Sequence, residues 1–502
     1  MVPDASAEPA SITNSTSQPR GLSPNLPLQQ PAGINGHPSP VHSLPQEIFG
    51  EVFMQLHLLP AVVLDAHRPN FAHAMAVFTV ASVCRLWRAA ALGRPGLWSR
   101  RIAFDFTKLH KSGPRNEHWL LYLRTYLLRA RARPLCLHAV GLAFHSDWEG
   151  SAGQDAWRQI LDALPRCVRF SLRVYPTDGT GDLLPLSFNI ATPFLEEFAL
   201  IALTPSDAGS RYSTRRDNAT FLPSAPRLRK LFIQYPVPRY ITWTPFPALE
   251  ELYFEACLTE PRRADLLDIL PACEHISKLE IHQIDTQQID AARYLHERSN
   301  STFTLPNLRT LVDDSPHFVI VGQFAPLLAR GCPDLQTLRL KTYTGISAEV
   351  RAIETVGANL TTLRIEFSMD PFGRPHGILP QLLGAHPVLE DLTYTDVQFR
   401  AEDFEPLSAP DPITGLWIAP RLHIIKCSVS HPPILEWVQT IWQLVRFVKM
   451  RTESSGQPGS SPRRLRVFEL TDPQWQRLDY RMPEWVLAVV ARLLHRVPRD
   501  DV

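Results

Sequence analysis

One short phrase, Pro-x-Leu-x-x-Leu-x-Leu, recurs through most of this 502-residue chain and limits its fold more than any other feature. It reads Pro226, Leu228, Leu231, Ile233, then Pro247, Leu249, Leu252, Phe254. Further copies are Pro333/Leu335/Leu338/Leu340, Pro387/Leu389/Leu392/Tyr394 and Pro420/Leu422/Ile425/Cys427, with weaker ones opening at Pro165, Pro193 and Pro306. Three lack the proline: Ile276/Leu279/Ile281, Leu360/Leu363/Ile365 and Leu465/Phe468/Leu470. The final residues of the phrase alternate, which places their apolar side chains on one face of a strand. One such strand cannot bury its face alone, whereas stacked copies can. Counted from the first Leu-type position, eleven copies start at 167, 195, 228, 249, 276, 308, 335, 360, 389, 422 and 465, mostly 21 to 33 residues apart. A leucine-rich composition does not produce that spacing by chance.

The segments between copies carry helical periodicity, as at 155–164, 263–270, 289–297, 324–330 and 433–450. A strand followed by a helix, repeated, resembles the leucine-rich-repeat family over about residues 134–496. The resemblance implies an irregular α/β solenoid. The family places Asn or Cys eight residues after the first Leu, and only Cys257 fits that position. Pro134-Leu135-Cys136-Leu137 reads as the first strand, and 451–462, rich in Ser and Gly, as a flexible loop inside the array at 134–498.

Residues 43–102 have a different pattern. Ser43 is placed to cap a helix, with Gln46 completing a capping box and Pro45 in the first turn. Ile48, Val52, Phe53 and Leu56 form one helical stripe. A second helix is expected from about Ala72 to Leu92, stopped by Gly93, Pro95 and Gly96. Leu44-Pro45-x-Glu47-Ile48, then Val83-Cys84-x-x-Trp87, then Pro95-x-Leu97-Trp98 follow in order. That succession resembles the F-box, a helical module that docks substrate adaptors onto cullin-type ubiquitin ligases. One departure is the extra length between Leu56 and Val77, including His67-Arg68-Pro69-Asn70. The resemblance implies that Leu44, Pro45, Ile48, Val52, Phe53, Leu56, Val83, Cys84, Trp87, Leu97 and Trp98 build the module and contact a Skp-family linker, and through it a cullin.

The expected organisation is therefore a disordered Pro/Ser-rich tail at 1–40, an F-box at 41–104, a helical linker at 105–133 and the repeat array. The linker helix reads from about Asn116 to Arg131, with Trp119, Leu120, Leu123, Leu127 and Leu128 on its apolar face.

Several function classes fit poorly. A formal net charge of +1 argues against nucleic-acid binding driven by bulk electrostatics. No run of eighteen apolar residues and no signal-peptide pattern occurs, so neither a membrane nor export is expected. Seven scattered cysteines without a CxxC pair read as reduced core residues of a cytoplasmic or nuclear protein. Phosphate-binding loops, nucleophile elbows and HExxH are absent. His296-Glu297 lacks a second histidine, and Asp178–Asp182 supplies too few ligands for calcium. No cofactor, metal or catalytic residue is expected.

The remaining candidate is the outward face of the strands. Between the last two apolar positions of successive copies stand Phe232, Tyr253, Glu280, Arg339, Arg364, Thr393 and Lys426, with Glu255, His282, Lys341 and Glu366 two residues on. Aromatic residues and arginines anchor protein interfaces, which selects Phe232, Tyr253, Arg339 and Arg364 as candidate contacts to a protein substrate. The combined expectation is a substrate-recognition subunit of an SCF-type ubiquitin ligase. A scaffold that holds the linker without delivering a substrate is the rival, and an α/β enzyme is a distant third.

Overall fold

In the computed structural model of the protein, the described residues are 44–58, 71–109, 115–142, 151–175, 188–202, 219–234, 241–255, 270, 273–282, 304–314, 331–342, 353–354, 356, 359–367, 378–397, 401–429, 434–453, 462–463, 465–471, 488 and 492. The expected tail, the helical segments at 289–297 and 324–330, nearly all of 263–270, Asp178–Asp182, His296-Glu297 and Cys257 lie outside them.

Among the described residues four helices come first: α1 (Gln46–Leu58), α2 (Phe71–Val83), α3 (Arg85–Leu92) and α4 (Pro95–Ser99). The single helix expected over 72–92 is two. Cys84 turns extended, and its Sγ accepts from the Trp87 N–H as the N-cap of α3. Arg88 reaches back from α3 and donates to the Ala81 carbonyl, one of the four that the end of α2 leaves open. Phe49 and Phe53 of α1 pack on Trp87, with ring centroids 6.0 and 5.1 Å away.

The strands are β1 (Ile102–Asp105), β2 (Leu135–Leu142), β3 (Cys167–Val174), β4 (Glu197–Ala202), β5 (Ala219–Phe221), β6 (Lys230–Gln234), β7 (Ile241–Trp243), β8 (Glu251–Glu255), β9 (Lys278–His282), β10 (Thr310–Asp314), β11 (Thr337–Thr342), β12 (Thr362–Phe367), β13 (Asp391–Val397), β14 (Ile424–Val429) and β15 (Val467–Thr471). All but β5 and β7 form one thirteen-stranded parallel sheet, in which strands follow sequence order. Each of the eleven copies of the sequence phrase is a strand of this sheet, β3, β4, β6 and β8 to β15. Two strands precede them. β1 was not foreseen: the stretch read as a helical linker opens at Asp105 with the end of a strand, because Ile102, Ala103 and Phe104 pair in register with Leu137, His138 and Ala139. The helix of that stretch, α5 (Arg115–Arg129), is the crossover from β1 to β2.

Parallel neighbours require crossovers. Helix α6 (Ala152–Ala163) joins β2 to β3, α7 (Ile378–Ala385) lies between β12 and β13, α8 (Ala401–Phe404) between β13 and β14, and α9 (Ile434–Glu453) between β14 and β15. β5 and β7 pair with each other as a small parallel sheet within two other crossovers. Their three residues carry no Leu-x-x-Leu signal, so the pattern could not reveal them.

The proline of the phrase has a structural reason. The N–H of the first Leu donates to the carbonyl three residues back: Leu228 to Ala225, Leu249 to Phe246, Leu308 to Leu305, Leu335 to Cys332, Leu389 to His386 and Leu422 to Ala419. Proline stands second in each of these β-turns, where its fixed φ suits the turn and no N–H is needed. The next two residues then bond across to the preceding repeat, as Lys230 N–H does to the Glu196 carbonyl and Lys278 N–H to Glu250. The residue that opens each turn is buried, which accounts for Cys273 and Cys332. Burial raises both thiols to about 11, so they are packing residues.

One continuous apolar cluster runs from Phe49 through Leu465 and joins the helices to the sheet. Trp98 is fully buried at the junction. Its indole N–H donates to Ala91, and its ring meets Phe78 and Tyr126 edge-on at 5.4 and 5.2 Å. Burying a side chain of this size contributes about 3 kcal/mol. At the far end, Arg451 was read as the start of a flexible loop. It instead lies in the last turn of α9, fully buried, donating to the carbonyls of Ala419 and Ile418 with its guanidinium beside Trp417 and Phe447. Residues 454–461 of that loop lie outside the described residues.

Candidate functional site

Register turns the outward residues into rows. Phe232 pairs with Tyr253, Tyr253 with Glu280, Glu280 with Val312, Val312 with Arg339, Arg339 with Arg364, Arg364 with Thr393 and Thr393 with Lys426. Two residues on, Glu255 pairs with His282 and His282 with Asp314. Lys341 pairs with Glu366. The side chains between them, Leu231 and Ile233 for example, are buried, so the alternation required by a half-covered strand holds.

Phe232, Tyr253 and His282 make one stack. The first two rings are parallel, 3.9 Å apart and 7° from coplanar, and the imidazole follows at 4.8 Å. The Tyr253 hydroxyl donates to Glu255 Oε2 at 2.5 Å. Burial and that carboxylate both push the hydroxyl well above its ordinary range. His282 lies between Asp314 Oδ2 at 3.2 Å and Glu280 Oε2 at 3.4 Å. Burial works against its charge, but the two carboxylates outweigh it and hold the imidazole up to about 9. The imidazolium in turn depresses Glu280 to about 2, against burial and with help from Lys278 at 2.6 Å.

The arginines are arranged differently. Arg339 Nη2 lies 3.1 Å and Arg364 Nε 2.6 Å from the same atom, Glu366 Oε1. That oxygen has no aligned hydrogen bond, and neither has Arg339 Nε. The four chosen residues thus divide into an aromatic pair on β6 and β8 and a cationic pair on β11 and β12. The sequence missed Val312 and Asp314 of this face, because Asp313 occupies the third apolar position of its copy and hides the strand's register. Asp313 is fully buried.

The residues expected to meet a linker also divide. Leu44, Ile48, Val52 and Val83 are exposed, the last three at 47, 47 and 57%. Pro45 is exposed, while Cys84 and Trp87 are half-buried. Phe53, Leu97 and Trp98 are buried within the chain itself and offer no contact surface. The side chain of Leu56 lies outside the described residues. Leu44 lies just before α1, Ile48 and Val52 one turn apart on it, and Val83 at the end of α2, so four apolar side chains of the motif are left in water.

No protein-family model matches the chain, and no curated protein matches it either. Among the described residues no cluster of three His, Cys, Asp or Glu is placed to hold a metal, and no helix is long and apolar enough to cross a membrane. His282 with Asp314 and Glu280 superficially suggests acid–base chemistry. A histidine held charged to about pH 9 by two carboxylates is a poor general base near neutrality. Through Asp314 it ties β9 to β10.

Proposed function

We propose that the chain is a substrate-recognition adaptor of an SCF-type ubiquitin ligase, its N-terminal helices forming an F-box and its sheet an irregular leucine-rich-repeat-like solenoid. One observation carries the reading: the F-box-like motif divides into residues that pack the chain's own core (Phe53, Leu97, Trp98) and residues it leaves in water (Leu44, Ile48, Val52, Val83). A partner docking on the motif would cover the second group. In this reading Ile48, Val52 and Val83 meet a Skp-family linker, through which a cullin is reached. The outward sheet face holds a protein substrate, and the chain acts in the cytoplasm or nucleus. It contributes no catalytic group and works by raising the substrate's local concentration beside the ubiquitin-loaded enzyme.

The test is co-purification with a Skp-family linker, comparing wild type with Ile48→Asp/Val52→Asp. A stoichiometric complex abolished in the variant is expected. A folded wild type that takes up no linker removes the reading. Stabilisation of a bound protein after loss of the chain separates an adaptor from a scaffold.

A further inference from the structure

We infer that the outward sheet face recognises an extended peptide by two pins, an aromatic or large aliphatic side chain at Phe232 and Tyr253 and a carboxylate at Arg339 and Arg364, about four residues apart. The inference deepens the proposed adaptor role and rests on that reading only in taking this face as the substrate side.

Charge identifies the second pin. On β8 to β10, Glu280 and Asp314 are paired with Lys278, His282 and Lys341, the last 3.5 Å from Asp314, and Glu255 accepts from the Tyr253 hydroxyl beside them. Three negative charges meet three positive ones there. On β11 and β12, Arg339 and Arg364 share the single carboxylate of Glu366, which leaves one positive charge over. The two arginine side chains remain 38 and 46% exposed, which leaves them open to an incoming group. Glu366 Oε1 and Arg339 Nε are both buried and make no aligned hydrogen bond, so the pairing is ionic and the other guanidinium nitrogens are the ones left for an incoming group. A second carboxylate supplies the geometry that Glu366 lacks, since a planar oxygen pair matches the guanidinium fork. Glu366 itself shows that a group of this kind fits between the arginines.

Spacing follows from the sheet. Tyr253 on β8 and Arg339 on β11 are separated by three strand intervals. At about 4.8 Å each these span roughly 14 Å. An extended peptide advances about 3.3 Å per residue, so about four residues cover the gap. Between the pins lie Glu280, drawn to Lys278 and His282, and then Val312, short and buried, in register with Glu280 and Arg339. A crossing backbone meets no tall side chain at that point.

The probe is a displayed library of random dodecapeptides selected on the full chain. Peptides carrying an aromatic or large aliphatic residue about four positions from Asp or Glu are expected to enrich. Their affinity should fall at least tenfold in Arg339→Glu/Arg364→Glu and in Phe232→Ala. Glu366→Gln, which removes the internal competitor, should bind at least as tightly as wild type. If the double reversal fails to fold, Arg364→Gln alone, which leaves Glu366 paired to Arg339, gives the same readout. Enriched peptides without an acid or without preferred spacing, no enrichment at all, or undiminished binding by the arginine variants each overturn the inference. Linker binding is measured separately, so failure of the two pins and failure of the adaptor reading are distinguishable.

Discussion

The N-terminal helices and the sheet bury their apolar residues by different rules. In most strands of the sheet one solution recurs: a turn residue, a first Leu and two alternating side chains, all facing the same cluster. In the helices one large side chain does what no neighbour can. Trp98 links α4 to Phe78 of α2, to Tyr126 of α5 and to the guanidinium of Arg129 at 4.3 Å. Repetition spreads stability over equivalent positions, whereas the helical unit concentrates it in a keystone.

Trp98→Ala therefore has the largest expected effect, a loss of about 3–5 kcal/mol in chemical denaturation. Leu338→Ala, equally buried but one of many like residues, should cost about 2–4 kcal/mol. Equal losses accompanied by the same unfolding midpoint shift would erase the distinction between keystone and repeat. Arg451→Met tests a keystone inside the array. It strands the carbonyls of Ala419 and Ile418, and a cost of about 2–4 kcal/mol in the thermal transition is expected.

The repeating part was legible because its periodicity is physical. Prolines mark turns, alternation marks strands, and copies beginning at eleven numbered positions all became neighbouring strands. Short strands outside the phrase leave no such mark. β1 is four residues long and precedes the first copy, and β5 and β7 are three residues each. Cys84 looked like one more apolar helical residue because capping by a thiol leaves no periodic trace. The outward rows were readable as residue types, since Phe232, Tyr253, Arg339 and Arg364 all face outward as expected. Their partners were not readable. Which carboxylate neutralises which cation depends on register between strands some thirty residues apart, and Asp313 disguised that register on β10.

pH sharpens the comparison, because the charged ladder belongs to the sheet alone. The folded value of His282 is raised from 6.5 to about 9, so its contribution is complete below pH 6.5 and is lost as pH rises to about 9. The depressed Glu280 contributes above about pH 4.5 and loses its share as pH falls toward 2. His282→Gln should be less stable than wild type by about 2 kcal/mol at pH 6 and nearly equal to it near pH 10, as read by urea denaturation at each pH. A constant gap across that range would remove charge as the cause. The smallest effect is expected from Phe232→Ala, about 1 kcal/mol, because the lost stacking partner is only half-buried.

The division between core and contact residues in the N-terminal motif is tested most directly by measuring linker affinity and stability together for two variants. Isothermal titration with a Skp-family linker, paired with urea denaturation, should find Ile48→Asp/Val52→Asp as stable as wild type and unable to bind. Trp98→Phe should be less stable by about 1–2 kcal/mol with affinity unchanged while folded. Binding retained by the exposed-residue variant, or lost by the folded Trp98→Phe protein, would contradict the division and the function proposed from it.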